Sequence, residues 1–263
     1  MQFDEIDKQM RVFETINDQY VLPGIHMIAR LDGRSFTRLT KEVHAFITPY
    51  DETFRDFMLQ TAEHLMDCGF RIIYGYTHSD EISLLFHPEE NAFNRKIRKY
   101  TSILAGEASA KLSMLLGDLA IFDCRVSQLP KTEYVQDYFL WRSEYARRNA
   151  LNSQCYWALR KSGKTPKDAG EGLNNLSFDG KKEILSRHQI DFDSLPKWQI
   201  SGTGLLWEAY EKSATDPKTE QEVLARRYRI IHQIDLPEKE AYAQFVAGII
   251  DSAHIKAEQA PLG

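Results

Sequence analysis

Residues 70–86, FRIIYGYTHSDEISLLF, decide the fold class of this chain. Two runs rich in β-branched and aromatic residues, 70–76 and 81–86, flank the polar tetrapeptide 77–80. Such a pair of runs around a short polar stretch is typical of a β-hairpin, so we expect two neighbouring antiparallel strands here.

The elements on either side of this hairpin indicate an antiparallel-containing α+β fold. The pattern predicts a strand at 25–31, a helix that Thr48 caps, a long helix at about 91–116 and an edge strand at 121–128. From about residue 131 the pattern is mainly helical, with further strands expected at 198–208 and 224–234. A strict alternation of strands and helices, as in doubly wound proteins, is missing.

Composition excludes several classes of protein. The 263 residues are 43% hydrophobic and 27% charged, with a net charge of −5. No run approaches the roughly twenty apolar residues of a membrane span, so we expect no membrane partner. Three cysteines without a CxxC pair argue against disulfides and zinc sites and favour the cytosol, and the polar start predicts no signal peptide.

Three acidic residues beside predicted turns are the candidates for chemistry. Asp32 follows the first strand, and Asp80 and Glu81 lie in the hairpin. Mg²⁺ prefers one or two carboxylates, with water and phosphate oxygens completing its coordination, and the Gly33 carbonyl is a further oxygen. Because neighbouring strand residues point to opposite faces, we expect at most one of Asp80 and Glu81 to join Asp32 unless the backbone twists locally.

Each of these signals also has an ordinary structural interpretation. An Asp-Gly pair after a strand is usually only a turn, and an acidic pair at a hairpin is usually solvated. Basic clusters, including three arginines at 226–229, are more often solvated faces than binding sites. The residues alone therefore predict a plausible metal site and leave the reaction open.

An ordered set of motifs resembles one family. The motifs are ARLDGRSF (29–36), THSDEISLLF (77–86), FNRKIRKY (93–100), FDCRV (122–126), DYFLWR (137–142) and ISGTGLLWE (200–208). In this order and spacing they resemble the tRNA-histidine guanylyltransferases and their bacterial and archaeal guanylyltransferase-like relatives, which are 3′-to-5′ nucleotide polymerases. The resemblance covers about residues 5–235.

The resemblance implies specific roles for site residues. Asp32, the Gly33 carbonyl and Asp80 would hold two Mg²⁺ ions, and Glu81 would be the next catalytic candidate. The residues implied to bind the nucleotide are Arg30, Gly33, Arg34, Ser79, Lys96 and Lys99. It also implies a palm-like catalytic core at 1–130, with residues 131–263 completing the sheet and the surface for tRNA and for assembly into tetramers.

The implied reaction is nucleotide addition to the 5′ end of tRNA, with ATP activating that end and GTP or another nucleoside triphosphate as the donor. The His-x-Asn-Asn segment of the eukaryotic enzymes is replaced by Arg147, Arg148, Asn149 and Ala150. This departure favours templated repair of 5′-truncated tRNA, with Arg147, Arg148 and Asn149 on the tRNA side. Three further functions stay open: G addition to tRNA-histidine, a palm-domain nucleotide cyclase and a non-catalytic tRNA-binding protein.

Overall fold

The computed structural model describes residues 3–215 and 222–256 and centres on an antiparallel sheet of six strands. The strands are β1 (His26–Gly33), β2 (Ile72–His78), β3 (Glu81–Phe86), β4 (Phe122–Leu129), β5 (Thr203–Thr215) and β6 (Glu222–Gln233). They lie in the order β4-β1-β3-β2-β5-β6. The predicted α+β fold with an antiparallel-containing sheet is confirmed.

Helices pack on both faces of this sheet. On one face lie α3 (Glu52–Met66) and α4 (Ile97–Leu116), and on the other α5 (Thr132–Lys161) and α9 (Lys239–Lys256). The other helices of the described residues are α1 (Phe3–Thr15), α2 (Phe36–Arg38), α6 (Pro166–Glu171), α7 (Phe178–Arg187) and α8 (Lys197–Ile200). A π-helical turn (Leu39–Val43) follows α2, and a 3₁₀ turn (Ala92–Arg95) precedes α4. The described part of the chain contains no helix with the length and apolar character of a membrane span.

The alternation of side chains along β1 decides which face carries the candidate site. Met27, Ala29 and Leu31 are buried in the core beneath α3 and α4. Ile28 points the other way, into the core formed with α5 and α9. Arg30 and Asp32 are in phase with Ile28, so they lie on the face of the sheet that α5 covers.

The start of α3 differs from the sequence prediction. The cap is Asp51 rather than Thr48, because the Asp51 carboxylate accepts a hydrogen bond of 3.1 Å from the backbone amide of Phe54. The same carboxylate accepts a bond of 2.9 Å from the amide of Ile47. Asp51 thereby fixes the loop before α3, which forms one wall of the cavity at the candidate site.

The strands β5 and β6 extend well beyond the rest of the sheet. β5 pairs with β2 only over Thr203–Leu206, whereas β5 and β6 stay paired as far as Thr215 and Glu222. Residues 208–215 and 222–229 therefore form a two-stranded arm about 25 Å long. Because β5 pairs with β2, the second half of the chain contributes to the same sheet as the first half.

Candidate active site

The hairpin between β2 and β3 is tighter than the sequence predicted. His78 and Glu81 are register partners, so the turn consists of Ser79 and Asp80 alone. Ser79 adopts a left-handed conformation with φ of 55°. The amide of Gly33 donates a hydrogen bond of 3.1 Å to the carbonyl of Asp80, which joins this turn to the end of β1.

The position of Asp80 in the turn brings all three acidic candidates together. Asp32 and Glu81 are direct register partners on β1 and β3, so their side chains share one face of the sheet. Asp80 is also close enough for the charge of Asp32 to raise its pKa. Both Asp80 and Glu81 join Asp32 because the left-handed turn at Ser79 supplies the local twist that the sequence analysis required for this.

Burial has the largest effect on the pKa of the Asp80 carboxylate. It raises the pKa of Asp80, and the negative charge of Asp32 adds to that rise. A hydrogen bond from Ser79 and the positive charge of Lys41 act in the opposite direction. Two carboxylates in this arrangement repel each other, and a divalent cation between them would relieve the repulsion.

Glu81 differs from the two aspartates because its carboxylate already has a cationic partner. Arg142 on α5 donates two hydrogen bonds to it, of 2.7 and 2.5 Å. Arg30 lies 3.9 Å from the same carboxylate. Burial raises the pKa of Glu81, while Arg142 and then Arg30 lower it. This bidentate pair makes Glu81 an anchor for Arg142 rather than a free metal ligand.

Gly33 is required by close packing at the end of β1. A Cβ atom at this position would lie 2.4 Å from the ring of Phe36. Phe36 is itself buried and lines the cavity beside the acidic residues. The glycine thus lets the aromatic ring reach the end of the strand, where the Gly33 carbonyl lies beside Asp32.

The three acidic residues line a cavity of about 570 Å³. Ligand pockets of nucleotide-sized molecules fall in this range of volume. The predicted site residues that line it are Arg30, Asp32, Ser79, Asp80, Glu81 and Asn149. The Nε atom of Arg30 is buried and makes no hydrogen bond to the described residues.

Lys96 and Lys99 do not line this cavity. Lys96 forms an ion pair of 2.7 Å with Asp18 and lies over the ring of Tyr20, near the start of β1. Asp32 is at the other end of that strand, about 20 Å away. Their binding of nucleotide stays a prediction, and it would require a position separate from this cavity.

The two arginines of the 147–149 segment also lie outside the cavity lining. Arg147 is 3.6 Å from both Asp193 and Glu238, which hold it against the C-terminal elements. Arg148 is exposed on α5, and Arg34 is exposed beyond the end of β1. Of the segment that departs from the eukaryotic pattern, Asn149 alone lines the cavity.

Several cavity residues could not be found from the sequence. Lys41 lies on the π-helical turn, 5.1 Å from the ring of Trp157. Arg55 on α3 lies 4.7 Å from the ring of Trp198. Their place at the cavity depends on contacts between distant segments, so no local pattern signals it. Arg142 and Trp141, by contrast, belong to the DYFLWR motif.

The donor set of the site fits Mg²⁺. Among residues 3–215 and 222–256, no group of three or more acidic, histidine or cysteine side chains is arranged around a metal position. Two carboxylates and one backbone carbonyl match the partial protein coordination that Mg²⁺ uses with nucleotides, where water and phosphate oxygens supply the remaining ligands. Asp32, Asp80 and the Gly33 carbonyl are therefore the residues that would hold the ion.

Comparisons with known proteins agree with this arrangement. The family model for tRNAHis guanylyltransferase matches residues 7–130, and the model for the Thg1 C terminal domain matches residues 133–243. A probable tRNA(His) guanylyltransferase of Bos taurus is 31% identical over 217 residues, which are 78% of this chain and 72% of the bovine protein. A probable tRNA(His) guanylyltransferase of Dictyostelium discoideum is 27% identical, covering 86% and 91% of the two chains.

Solved structures share the fold at low sequence identity. A bacterial tRNA(His) guanylyltransferase-like protein in complex with ATP superimposes with a TM-score of 0.71 at 22% identity, covering 93% of this chain and 99% of that one. The tRNA(His) guanylyltransferase of Saccharomyces cerevisiae gives a TM-score of 0.68 at 23% identity, with coverage of 81% and 94%.

The family models and the curated relatives identify this protein as a nucleotidyltransferase. Both family models together account for most of the chain, and the bovine relative matches over more than two thirds of its length. The chain belongs to the tRNAHis guanylyltransferase family, as its sequence motifs predicted.

Proposed function

We propose that this protein adds nucleotides to the 5′ end of tRNA in the 3′-to-5′ direction. The observation that carries the proposal is the position of Asp32 and Asp80 together at a cavity large enough for a nucleoside triphosphate, with the Gly33 amide bonded to the Asp80 carbonyl. Membership of the family and the basic residues around the cavity support the same reaction.

The reaction has two displacement steps at phosphorus. In the first, an oxygen of the tRNA 5′-monophosphate attacks the α-phosphorus of ATP, and pyrophosphate leaves. In the second, the 3′-hydroxyl of an incoming nucleoside triphosphate loses its proton and attacks the activated 5′-phosphorus, and AMP leaves. Both steps depend on in-line positioning and on neutralisation of phosphate charge.

The residues of the chain fit these requirements. Mg²⁺ held by Asp32, Asp80 and the Gly33 carbonyl would neutralise triphosphate charge and favour ionisation of the attacking hydroxyl. Arg30 lines the cavity and would place its guanidinium charge near a phosphate group. Lys41 and Arg55 add positive charge from two other walls of the cavity.

Templated repair of 5′-truncated tRNA is the form of the reaction that we favour. Arg147 stands where the eukaryotic enzymes have histidine and Ala150 where they have the second asparagine, and neither lines the cavity. A selective contact to one non-templated nucleotide is therefore missing at these positions. Addition of G to tRNA-histidine is the second candidate, and the names of the relatives favour it.

Assembly of several copies, as in a homotetramer, is supported by the N-terminal helix. None of the residues of α1 is buried within the chain. Phe3, Met10 and Phe13, at heptad-like spacing, are between 51% and 76% exposed. We expect Phe13→Glu to lower the mass measured by light scattering.

The free cysteines are consistent with a cytosolic protein.

A product assay tests the proposed function. The protein is incubated with labelled ATP or GTP, Mg²⁺ and one of two RNAs, a tRNA that lacks its first nucleotides or a full-length tRNA-histidine. Extension of the truncated RNA to its templated length supports repair, whereas addition of a single G to the full-length RNA alone supports the second candidate.

The same assay distinguishes a polymerase from a cyclase and from a binding protein. A cyclic nucleotide formed without RNA would identify a cyclase and overturn the proposal. Binding of tRNA with no transfer of label would identify a non-catalytic binding protein. Asp32→Asn is the matched control, because it removes a carboxylate while preserving the size of the side chain.

A further inference from the structure

Two large aromatic side chains remain exposed at the cavity. Trp141 is 53% exposed and Tyr145 is 46% exposed, and both line the cavity. They lie one helical turn apart on α5, so their rings are neighbours on one face of the helix. Single exposed aromatics are common on protein surfaces, but an adjacent pair at a polar cavity is a candidate binding surface.

A buried arginine fixes the position of both rings. The guanidinium carbon of Arg142 lies 4.6 Å from the ring centre of Trp141 and 4.5 Å from that of Tyr145. Arg142 is only 5% exposed and is held by its two hydrogen bonds to Glu81. The rings are therefore fixed before any ligand arrives, which reduces the entropy lost on binding.

Cationic side chains lie near the pair, close to the acidic residues of the candidate site. Arg30 lines the same cavity, and its register partner on β4 is the exposed Arg125, which is hydrogen-bonded to Asp123. Glu81, which holds Arg142, is the register partner of Asp32. Aromatic rings beside cationic groups are the usual surface for single-stranded nucleic acid, because bases stack on the rings and phosphates pair with the cations.

We propose that Trp141 and Tyr145 form a stacking platform for an unpaired base at the end of the RNA. This inference rests on the proposed function, since nucleotide addition at a 5′ end leaves an unpaired base on one or both strands. The large exposed fraction of both rings favours RNA over the base of the free nucleotide, because a bound RNA extends beyond the cavity to the exposed surface where these rings lie. Single-stranded RNA ends are commonly recognised in this way.

A fluorescent RNA tests the platform. The probe is a hairpin RNA with the end of an acceptor stem, a recessed 5′ end and 2-aminopurine as the unpaired 3′-strand base. Binding to the wild-type protein is expected to quench the fluorophore through stacking. Trp141→Ala and Tyr145→Ala should each lose most of the quenching and bind the probe about 5- to 100-fold more weakly.

Conservative and matched variants control the experiment. Trp141→Phe and Tyr145→Phe retain a ring and should retain most of the quenching. Tyr134 is 50% exposed on the same helix but does not line the cavity, so Tyr134→Ala should bind like the wild type. Equal weakening by Tyr134→Ala and Trp141→Ala would overturn the proposal.

A second arm measures the affinity for free ATP with a fluorescent ATP analogue. Weaker ATP binding in Trp141→Ala and Tyr145→Ala, with unchanged quenching of the RNA probe, would assign the rings to the nucleotide and overturn the proposal. Because both arms measure binding alone, quenching by a protein that adds no nucleotide would reject the proposed function and keep the platform.

Discussion

The backbone amide of Gly33 donates a hydrogen bond of 3.1 Å to the carbonyl of Asp80, and this bond ties β1 to the β2–β3 turn. The two elements are separated by more than forty residues of chain that include α3. Because this bond joins backbone atoms, the relative position of Asp32 and Asp80 is a property of the sheet rather than of a flexible loop.

Neutralising either aspartate should abolish activity without unfolding the protein. Asp32→Asn and Asp80→Asn are expected to lower the rate of nucleotide addition at least about 1,000-fold, because each removes charge from the Mg²⁺ site. The same changes remove repulsion between the two carboxylates, so Tm should stay constant or rise by about 2–4 °C. Single-turnover kinetics and calorimetry measure the two effects, and a fall in Tm together with retained activity would contradict both.

The Glu81–Arg142 pair should contribute more to the free energy of unfolding than a surface ion pair does. Arg142→Ala leaves a mostly buried carboxylate without its partner, and we expect a loss of about 3–5 kcal/mol in the free energy of unfolding. The double variant Glu81→Gln/Arg142→Met should lose less than Arg142→Ala alone. Urea denaturation of the three proteins gives the comparison, and additive losses would show that the two side chains act independently.

Lys41 is expected to bind a phosphate group. Lys41→Ala should raise the apparent KM for ATP about 10-fold, the effect of one charge-assisted hydrogen bond, with a smaller change in kcat. Lys41→Arg should restore most of the affinity. Lys167 is a solvent-exposed lysine paired with Glu171 and distant from the cavity lining, so Lys167→Ala is the control. Equal KM values for Lys41→Ala and the wild type would exclude the contact.

His78 should make the protein less stable in mild acid. Burial lowers the pKa of His78 to about 4, and its Nε2 atom donates a hydrogen bond of 2.9 Å to the carbonyl of Gln199. In the unfolded chain the pKa is about 6.5, so between pH 6.5 and 4 the unfolded state binds more protons than the folded state. Stability from this residue is therefore complete above pH 6.5 and is lost as the pH falls toward 4.

His78→Gln removes the titrating group and retains a donor. We expect the variant to lose less stability than the wild type between pH 6.5 and 4, measured by chemical denaturation at several pH values. A parallel decline in both proteins would assign the acid sensitivity to other groups.

The sequence predicted most elements of the fold because their signals are local. The β2–β3 hairpin, the edge strand β4 and the long helix α5 all follow from side-chain periodicity and turn residues. The helix α1 was missed although its apolar residues have helical spacing, since the prediction relied on residues that bury a face within the chain. The division of the chain at residue 130 stays a prediction.

The sequence predicted those residues of the candidate site whose signals are local, and it did not predict those that depend on contacts between distant segments. Asp32 and Asp80 could be found because acidic residues at strand ends are a local signal. The engagement of Glu81 by Arg142, 61 residues away, depends on how α5 packs on the sheet. The positions of Lys41 and Lys96 also depend on the packing of distant segments. For this reason the sequence predicted neither that Lys41 lines the cavity nor that Lys96 lies near the other end of β1.

The arm formed by β5 and β6 makes the architecture modular. The described backbone of its outer residues pairs within the arm, whereas the carboxylates are carried by β1, the β2–β3 turn and β3 in the centre of the sheet. Evolution can lengthen, shorten or recharge the arm without altering the register of the strands that carry Asp32 and Glu81. The length and charge of the arm can therefore change while the positions of the acidic residues stay the same.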